Sequence, residues 1–99
     1  MHYILKNKKP IPASLMEWAM WLEGEGVSKE RIVGKTQVKK GFVSTVFIGL
    51  GGTGYNDQMF ETMVFNTGTE YDDDCMRCAT WKQAEKQHEK MVRLVKGEE

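Results

Sequence analysis

The chain has 99 residues, enough for one small domain that buries roughly 60–65% of the surface its unfolded form exposes and too few for a two-domain enzyme. Hydrophobic residues make up 40% and charged residues 28%, which supplies a core and argues against disorder along the whole length. Lys plus Arg and Asp plus Glu balance at 14 each, so no net field collects nucleic acid or an anionic membrane surface.

The opening segment, MHYILKNKKP, has neither the long apolar run nor the small-residue cleavage site of an export signal, and no run reaches the length of a membrane span. A cytoplasmic protein that binds no membrane is expected. Residues 2–5 have the character of a short strand, and KNKKPIP reads as a charged turn whose two prolines bar a regular helix. Ser14 and Glu17 then form an S-x-x-E capping box, so a helix of about three turns begins there. Leu15, Trp18, Trp21 and Leu22 share one face of it, expected to be the core face, and Gly24 and Gly26 stop it.

From Ile32 to Phe65 the period changes to two. IVGKTQV and FVSTVFIGL read as strands joined by a three-residue turn, Lys39-Lys40-Gly41, with Gly41 at positive φ, and MFETMVF reads as a third strand. Counting inward from a loop at 51–57 pairs Val46 with Thr62 and Phe47 with Glu61. One face then carries Phe42, Ser44, Val46, Ile48, Phe60, Thr62 and Val64; the other carries Val43, Thr45, Phe47, Glu61, Met63 and Phe65. A one-residue slip reverses the faces. Both are largely apolar, so helices covering one face leave the other for a third layer, a ligand or a second subunit.

NTGTEYDDD is a polar loop without periodicity. Thr80 and Gln83 form a second capping box, and Trp81, Ala84, His88, Met91, Val92 and Val95 make the stripe of a last helix that Gly97 ends. The expected architecture is one α+β domain over residues 1–99, an antiparallel meander of three or four strands with two helices.

Several motifs invite chemistry. Gly49-Leu50-Gly51-Gly52-Thr53-Gly54 matches the G-x-G-x-x-G dinucleotide fingerprint, which requires a following helix whose terminal amides hold a pyrophosphate. The next segment is strand-like, so a hairpin connection is expected instead. Cys75 and Cys78 have CxxC spacing, but a closed zinc site needs four ligands and no second pair exists. Asp72, Asp73 and Asp74, with Glu70, have the oxygen chemistry for a divalent cation, yet consecutive residues cannot aim at one point, and a solvated acidic loop is expected. His88 within an apolar stripe reads as a core side chain or as a general base, and Trp18 and Trp21 as core or as a stacking platform. Glu61, expected among Phe47, Met63 and Phe65, needs a partner if buried, whereas at a sheet edge its head reaches water.

Taken together, MEWAMWLE, FVSTVFIGL, MFETMVF and TWKQAEKQHEKMV resemble a family of small uncharacterised phage and prophage proteins. That family has a V-S-T-V-F-x-G-L strand, a variable loop, an L-F-E-T-M-V-F strand and a final T-W-x-x-A-x-x-x-H-x-x-M-V helix. The resemblance spans nearly the whole chain and brings no established chemistry. It implies a phage-encoded accessory protein acting in the host cell, and it does not depend on a CxxC. Trp21, Ser44, Thr45, Glu61, Thr62, Trp81 and His88 fall on matching positions.

The expected function is a non-catalytic binding protein that counters host defence, by sequestering a small (cyclic) nucleotide signal or by binding a host protein, without cofactor or metal. The candidate ligand-binding residues are Trp21, Ser44, Thr45, Phe47, Glu61, Thr62 and His88. Aromatic rings would stack on a base, the hydroxyls would meet ribose or phosphate, and Glu61 would accept from a base amine. Lys35, Lys39, Lys40 or Arg77 would supply a cation for phosphate. A homo-oligomer is expected. The alternatives are a small metal-dependent hydrolase using Glu61, His88 and Asp72 to Asp74, and a structural virion or assembly component.

Overall fold

A computed structural model describes residues 2–24, 30–49 and 58–97. In chain order the elements are β1 (His2–Lys6), β2 (Lys9–Ala13), α1 (Leu15–Glu23), β3 (Ile32–Val38), β4 (Gly41–Phe47), β5 (Phe60–Phe65), β6 (Cys75–Cys78) and α2 (Trp81–Lys96). They form an α+β fold with a four-stranded antiparallel meander, β3-β4-β5-β6, and a separate hairpin, β1-β2.

Both helices start as their capping boxes predict. The Ser14 hydroxyl accepts from the Glu17 amide at 3.1 Å while the Ser14 amide donates to the Glu17 carboxylate, and Thr80 and Gln83 repeat the exchange. Gly24 ends α1, and Gly97, in the left-handed region at φ 83°, ends α2. The KNKKPIP segment differs from expectation: only Asn7 and Lys8 turn, both at positive φ, and Lys9–Ala13 pairs with β1. Among the described residues β2 has a neighbouring strand on one side only, the setting in which a sheet tolerates proline. β1 stays outside the meander's ladder and touches it through the Tyr3 amide, which donates to the Gly49 carbonyl at 2.8 Å.

The strand register is one residue away from the expected one. Phe47 faces Phe60, Val46 faces Glu61 and Thr45 faces Thr62. The faces of β4 are as read, but those of β5 are exchanged. Val43, Thr45, Phe47, Phe60, Thr62 and Val64 point to one side and are all buried; Phe42, Ser44, Val46, Glu61, Met63 and Phe65 share the other and are half-buried. Helix α2 packs against the buried side, touching β3, β4, β5 and β6.

The β3–β4 turn is also shorter than expected, because Gly41 pairs with Val38 and only Lys39 and Lys40 turn. Lys39, not Gly41, takes the positive φ. Glycine is required at 41 for a different reason: a Cβ there would lie 1.9 Å from the Phe65 carbonyl oxygen, on backbone that belongs to the neighbouring strand. Gly41→Ala is therefore expected to destabilise the protein by about 1–3 kcal/mol, the range for forced overpacking, as read from urea unfolding.

Two apolar clusters fill the space under α2. One gathers Tyr3, Leu5, Phe47, Met59, Phe60 and Ala84, with Trp21 and Trp81 against it; the other gathers Val38, Val43, Val64, Met91 and Val95. Three elements each run from the first cluster to the second through one polar residue: Thr45 on β4, Thr62 on β5 and His88 on α2.

Helix α1 departs most from expectation. Seven of its nine residues are apolar, yet none is buried, and Leu15, Met16 and Met20 are 63%, 69% and 66% exposed. Leu15 is thus not a core residue. Trp18 and Trp21 are half-buried, and Trp21 holds the helix by its edge contact with the Phe47 ring at 5.6 Å.

Candidate functional site

The candidate residues fall into three environments. Thr45, Thr62 and His88 meet in a buried hydrogen-bond chain between the two apolar clusters. Phe47 belongs wholly to the core, with Trp21 at its rim. Ser44 and Glu61 lie on the opposite, open face of the sheet. The seven residues do not surround one cavity.

Within the buried chain, the sense of every hydrogen bond follows from one fixed end. The Met76 carbonyl can only accept, so the Gln87 amide nitrogen faces it at 3.0 Å and gives its other hydrogen to the Thr62 hydroxyl oxygen at 2.9 Å. Thr62 then donates to Thr45 (2.7 Å), and Thr45 donates to His88 Nδ1 (2.8 Å). His88 carries its proton on Nε2 and donates to Thr36 at 2.9 Å. The reverse sense would leave the hydrogen of the fully buried Thr62 hydroxyl without an acceptor in this chain.

Neutral His88 is thus an integral part of the α2–sheet contact. Burial lowers its pKa below the ordinary imidazole value, with Glu89 opposing. Gly34 gives the ring its seat, since a Cβ there would lie 3.0 Å from it. Both nitrogens are occupied and the side chain is 8% exposed, so the arrangement holds α2 on the sheet and offers no lone pair to a substrate.

Glu61 is not among Phe47, Met63 and Phe65 as the expected register required. It pairs across the strands with Arg77, Oε2 to guanidinium nitrogen at 3.1 Å, beside Val46 on the open face. With Arg77 about half exposed, this is a surface ion pair of the kind worth about 0–1 kcal/mol. Around it Ile32, Phe42, Val46, Met63 and Phe65 leave apolar surface that no helix covers among the described residues; the Phe42 and Phe65 rings meet tilted at 4.9 Å and the Lys35 ammonium lies over Phe42.

The acidic loop is a structural clamp. The Asp72 carboxylate accepts from the Thr67 amide, the Thr67 hydroxyl and the Gly68 amide, and these bonds hold its pKa below the usual carboxylate range. No group of three or more His, Cys, Asp or Glu able to hold a metal exists among the described residues. Cys75 and Cys78, three apart on β6, point to opposite faces of the sheet, so they can neither chelate one ion nor join each other. Burial raises both thiol pKa values, the opposite of what a reactive thiolate requires.

The glycine motif begins at the end of β4, with Gly49 at φ 70°; residues 50–57 lie outside the described residues. The next described element is β5, antiparallel to β4, so the segment connects a hairpin and precedes no described helix.

Sequence reasoning missed the exposed row of α1. The signal was present: seven apolar residues in nine exceed what one face of a helix can bury. Comparison with models of known protein families, with curated proteins and with solved structures finds no match to this chain.

Proposed function

We propose that this chain is a phage-encoded accessory protein that counters host defence without catalysis, by docking α1 into an apolar groove on a host protein. The observation that carries the reading is the unburied apolar surface of α1. Met16 with Met20 form an i,i+4 row on the side away from Trp18 and Trp21, and Leu15 with Ala19 form the row between it and the tryptophans, exposed at Leu15 and half-buried at Ala19. Exposed apolar rows of this kind mark interaction surfaces, and methionine adapts to a partner's contours. Glu17 and Glu23 flank the rows, so the complementary groove has a cationic rim.

The nucleotide version of the expected function is weaker at the residues first named for it. Thr45, Thr62 and His88 spend their hydrogen bonds on one another, and Ser44 and Glu61 face away from them. A homo-oligomer, also part of this reading, would use the open sheet face, where Phe42, Val46, Met63 and Phe65 leave apolar surface that a second copy would cover.

In a host carrying a defence system that this protein counters, its expression is expected to raise phage plating by about tenfold or more, and Met16→Glu with Met20→Glu to abolish the effect. Both positions are exposed, so the variant's stability should stay within about 0.5 kcal/mol of the parent. A photo-crosslinker at Met20 should trap one host protein, and the purified pair should lose binding in the double variant. Full protection by the double variant, or sedimentation showing a dimer that it dissolves, would refute docking of α1 on a host protein.

A further inference from the structure

The β1–β2 turn, the start of α2 and the start of β3 enclose a second feature. A cleft of about 450 Å³ is lined by Leu5, Lys6, Asn7, Lys8, Glu30, Ile32 and Trp81. Its chemistry is divided by position. Leu5, Ile32 and Trp81 are apolar, Lys6 and Lys8 are cationic residues at the hairpin tip, with the Lys8 ammonium over the Trp81 ring, and Glu30 is an anionic residue on the approach to β3. The volume lies within the range of small-molecule sites.

We infer that this cleft binds a free nucleoside monophosphate whose base carries an exocyclic amine, through stacking on Trp81, phosphate contact with Lys6 and Lys8, and donation of the amine to Glu30. The site is separate from the α1 surface proposed above and does not depend on it.

The Trp81 ring is fixed from behind, edge-on to Phe60 with centroids 6.1 Å apart, so one side is held by the core while the indole still lines the cleft. The Lys8 ammonium lies 5.3 Å from that ring. An exposed cation–π contact is weaker than stacking of a nucleobase on an indole, so an incoming base displaces the lysine from the ring and leaves it beside the phosphate. Two ammonium groups match a phosphate dianion. Glu30 opposes an anion placed on its side and so orients the ligand, its amine-bearing edge toward β3 and its phosphate toward the hairpin tip. Residue 31 anchors that wall: the Arg31 carbonyl accepts from the Phe47 amide at 2.8 Å, and its guanidinium donates to the Phe47 carbonyl at 3.1 Å.

Calorimetry and backbone NMR shifts on the full chain test the assignment, with adenosine 5′-monophosphate as the probe. Saturable binding below about 1 mM is expected, with shifts at Leu5, Ile32 and the Trp81 indole. Inosine 5′-monophosphate, which lacks the amine, should bind about fivefold more weakly, and Glu30→Gln should remove that difference. Lys6→Ala with Lys8→Ala, at exposed positions on the end of β1 and in the turn, should weaken adenosine 5′-monophosphate about tenfold or more while leaving the Tm unchanged. Any one of four results would overturn the inference: no shift at about 5 mM, equal binding of inorganic phosphate alone, binding that survives the double lysine substitution, or a 5′-phosphorylated oligonucleotide binding more tightly than the mononucleotide.

Discussion

Phe47→Ala is expected to lower stability by about 3–5 kcal/mol, the cost of deleting a fully buried aromatic ring and leaving a cavity. The ring has no exposed surface. It meets Trp21 edge-on at 5.6 Å and Phe60 at 5.1 Å, and Phe60 in turn meets Trp81. A domain of this size has about 5–15 kcal/mol in total, so the change removes about a fifth or more of it and drops the Tm by more than about 12 °C. Ser44→Ala, on the open face of the same strand, should stay within about 0.5 kcal/mol. Urea unfolding followed by far-UV circular dichroism makes the comparison. Had Phe47 been a ligand contact at a surface, the two variants would behave alike, and a Phe47→Ala loss below about 1 kcal/mol would mean that the aromatic cluster is not the core. The same substitution should loosen α1, because Trp21 rests on this ring, so the docking proposed for Met16 and Met20 should weaken with it.

Local chemistry made some elements legible and left others hidden. Ser14 with Glu17, and Thr80 with Gln83, satisfy helix-start amides from within four residues, so both helices could be read without tertiary information. The hairpin register could not. Phe42, Val46, Met63 and Phe65 are as apolar as Val43, Val64, Phe47 and Phe60, so alternation fits two registers one residue apart, and the connection through 50–57 does not choose between them. Long-range polar pairing agrees with the observed one: it sets Thr45 opposite Thr62 within reach of His88 and puts Glu61 beside Arg77. No alternation along a single strand reports that.

The same limit explains β6 and the candidate site. CMRC becomes a strand because β5 offers an unpaired edge and the Asp72 clamp turns the chain back onto it, with the Asp73 amide donating to the Val64 carbonyl at 2.9 Å. Its own four residues carry little strand signal. Thr45, Thr62 and His88 were legible as polar residues in apolar surroundings, which is the mark of a ligand site and equally of a closed internal network. Only the distances among them distinguish the two. The hairpin tip with Lys6 and Lys8, Glu30 and Trp81 are far apart in the chain, and their cleft exists because the prolines of β2 pair with β1 and bring the hairpin tip over the start of α2.

Thr45→Val tests the internal network most directly. The two side chains have nearly the same shape, so the variant removes one hydroxyl and strands two buried groups, the Thr62 hydroxyl hydrogen and the His88 Nδ1 lone pair. Each unsatisfied group costs about 1–3 kcal/mol, giving a loss of about 2–6 kcal/mol. Adding His88→Leu removes one of the stranded groups, so the double variant should be more stable than the sum of the single losses predicts. The pH dependence has a definite sign. The unfolded chain takes up a proton at the ordinary imidazole value of 6.5, while the folded state resists it because His88 is buried and Nδ1 already accepts from Thr45. Stability is therefore full above 6.5, falls as pH drops toward the lowered folded pKa, and stops falling below it. Asp72 acts in a lower window: its contribution is present above the ordinary value of 3.8 and is lost as pH falls through its lowered folded pKa. Urea midpoints measured from about pH 7 to about pH 5 thus isolate His88 from the loop carboxylate. A slope that disappears in the Thr45→Val, His88→Leu variant would tie the pH response to the network that holds α2 on the sheet, and an unchanged slope would place it elsewhere.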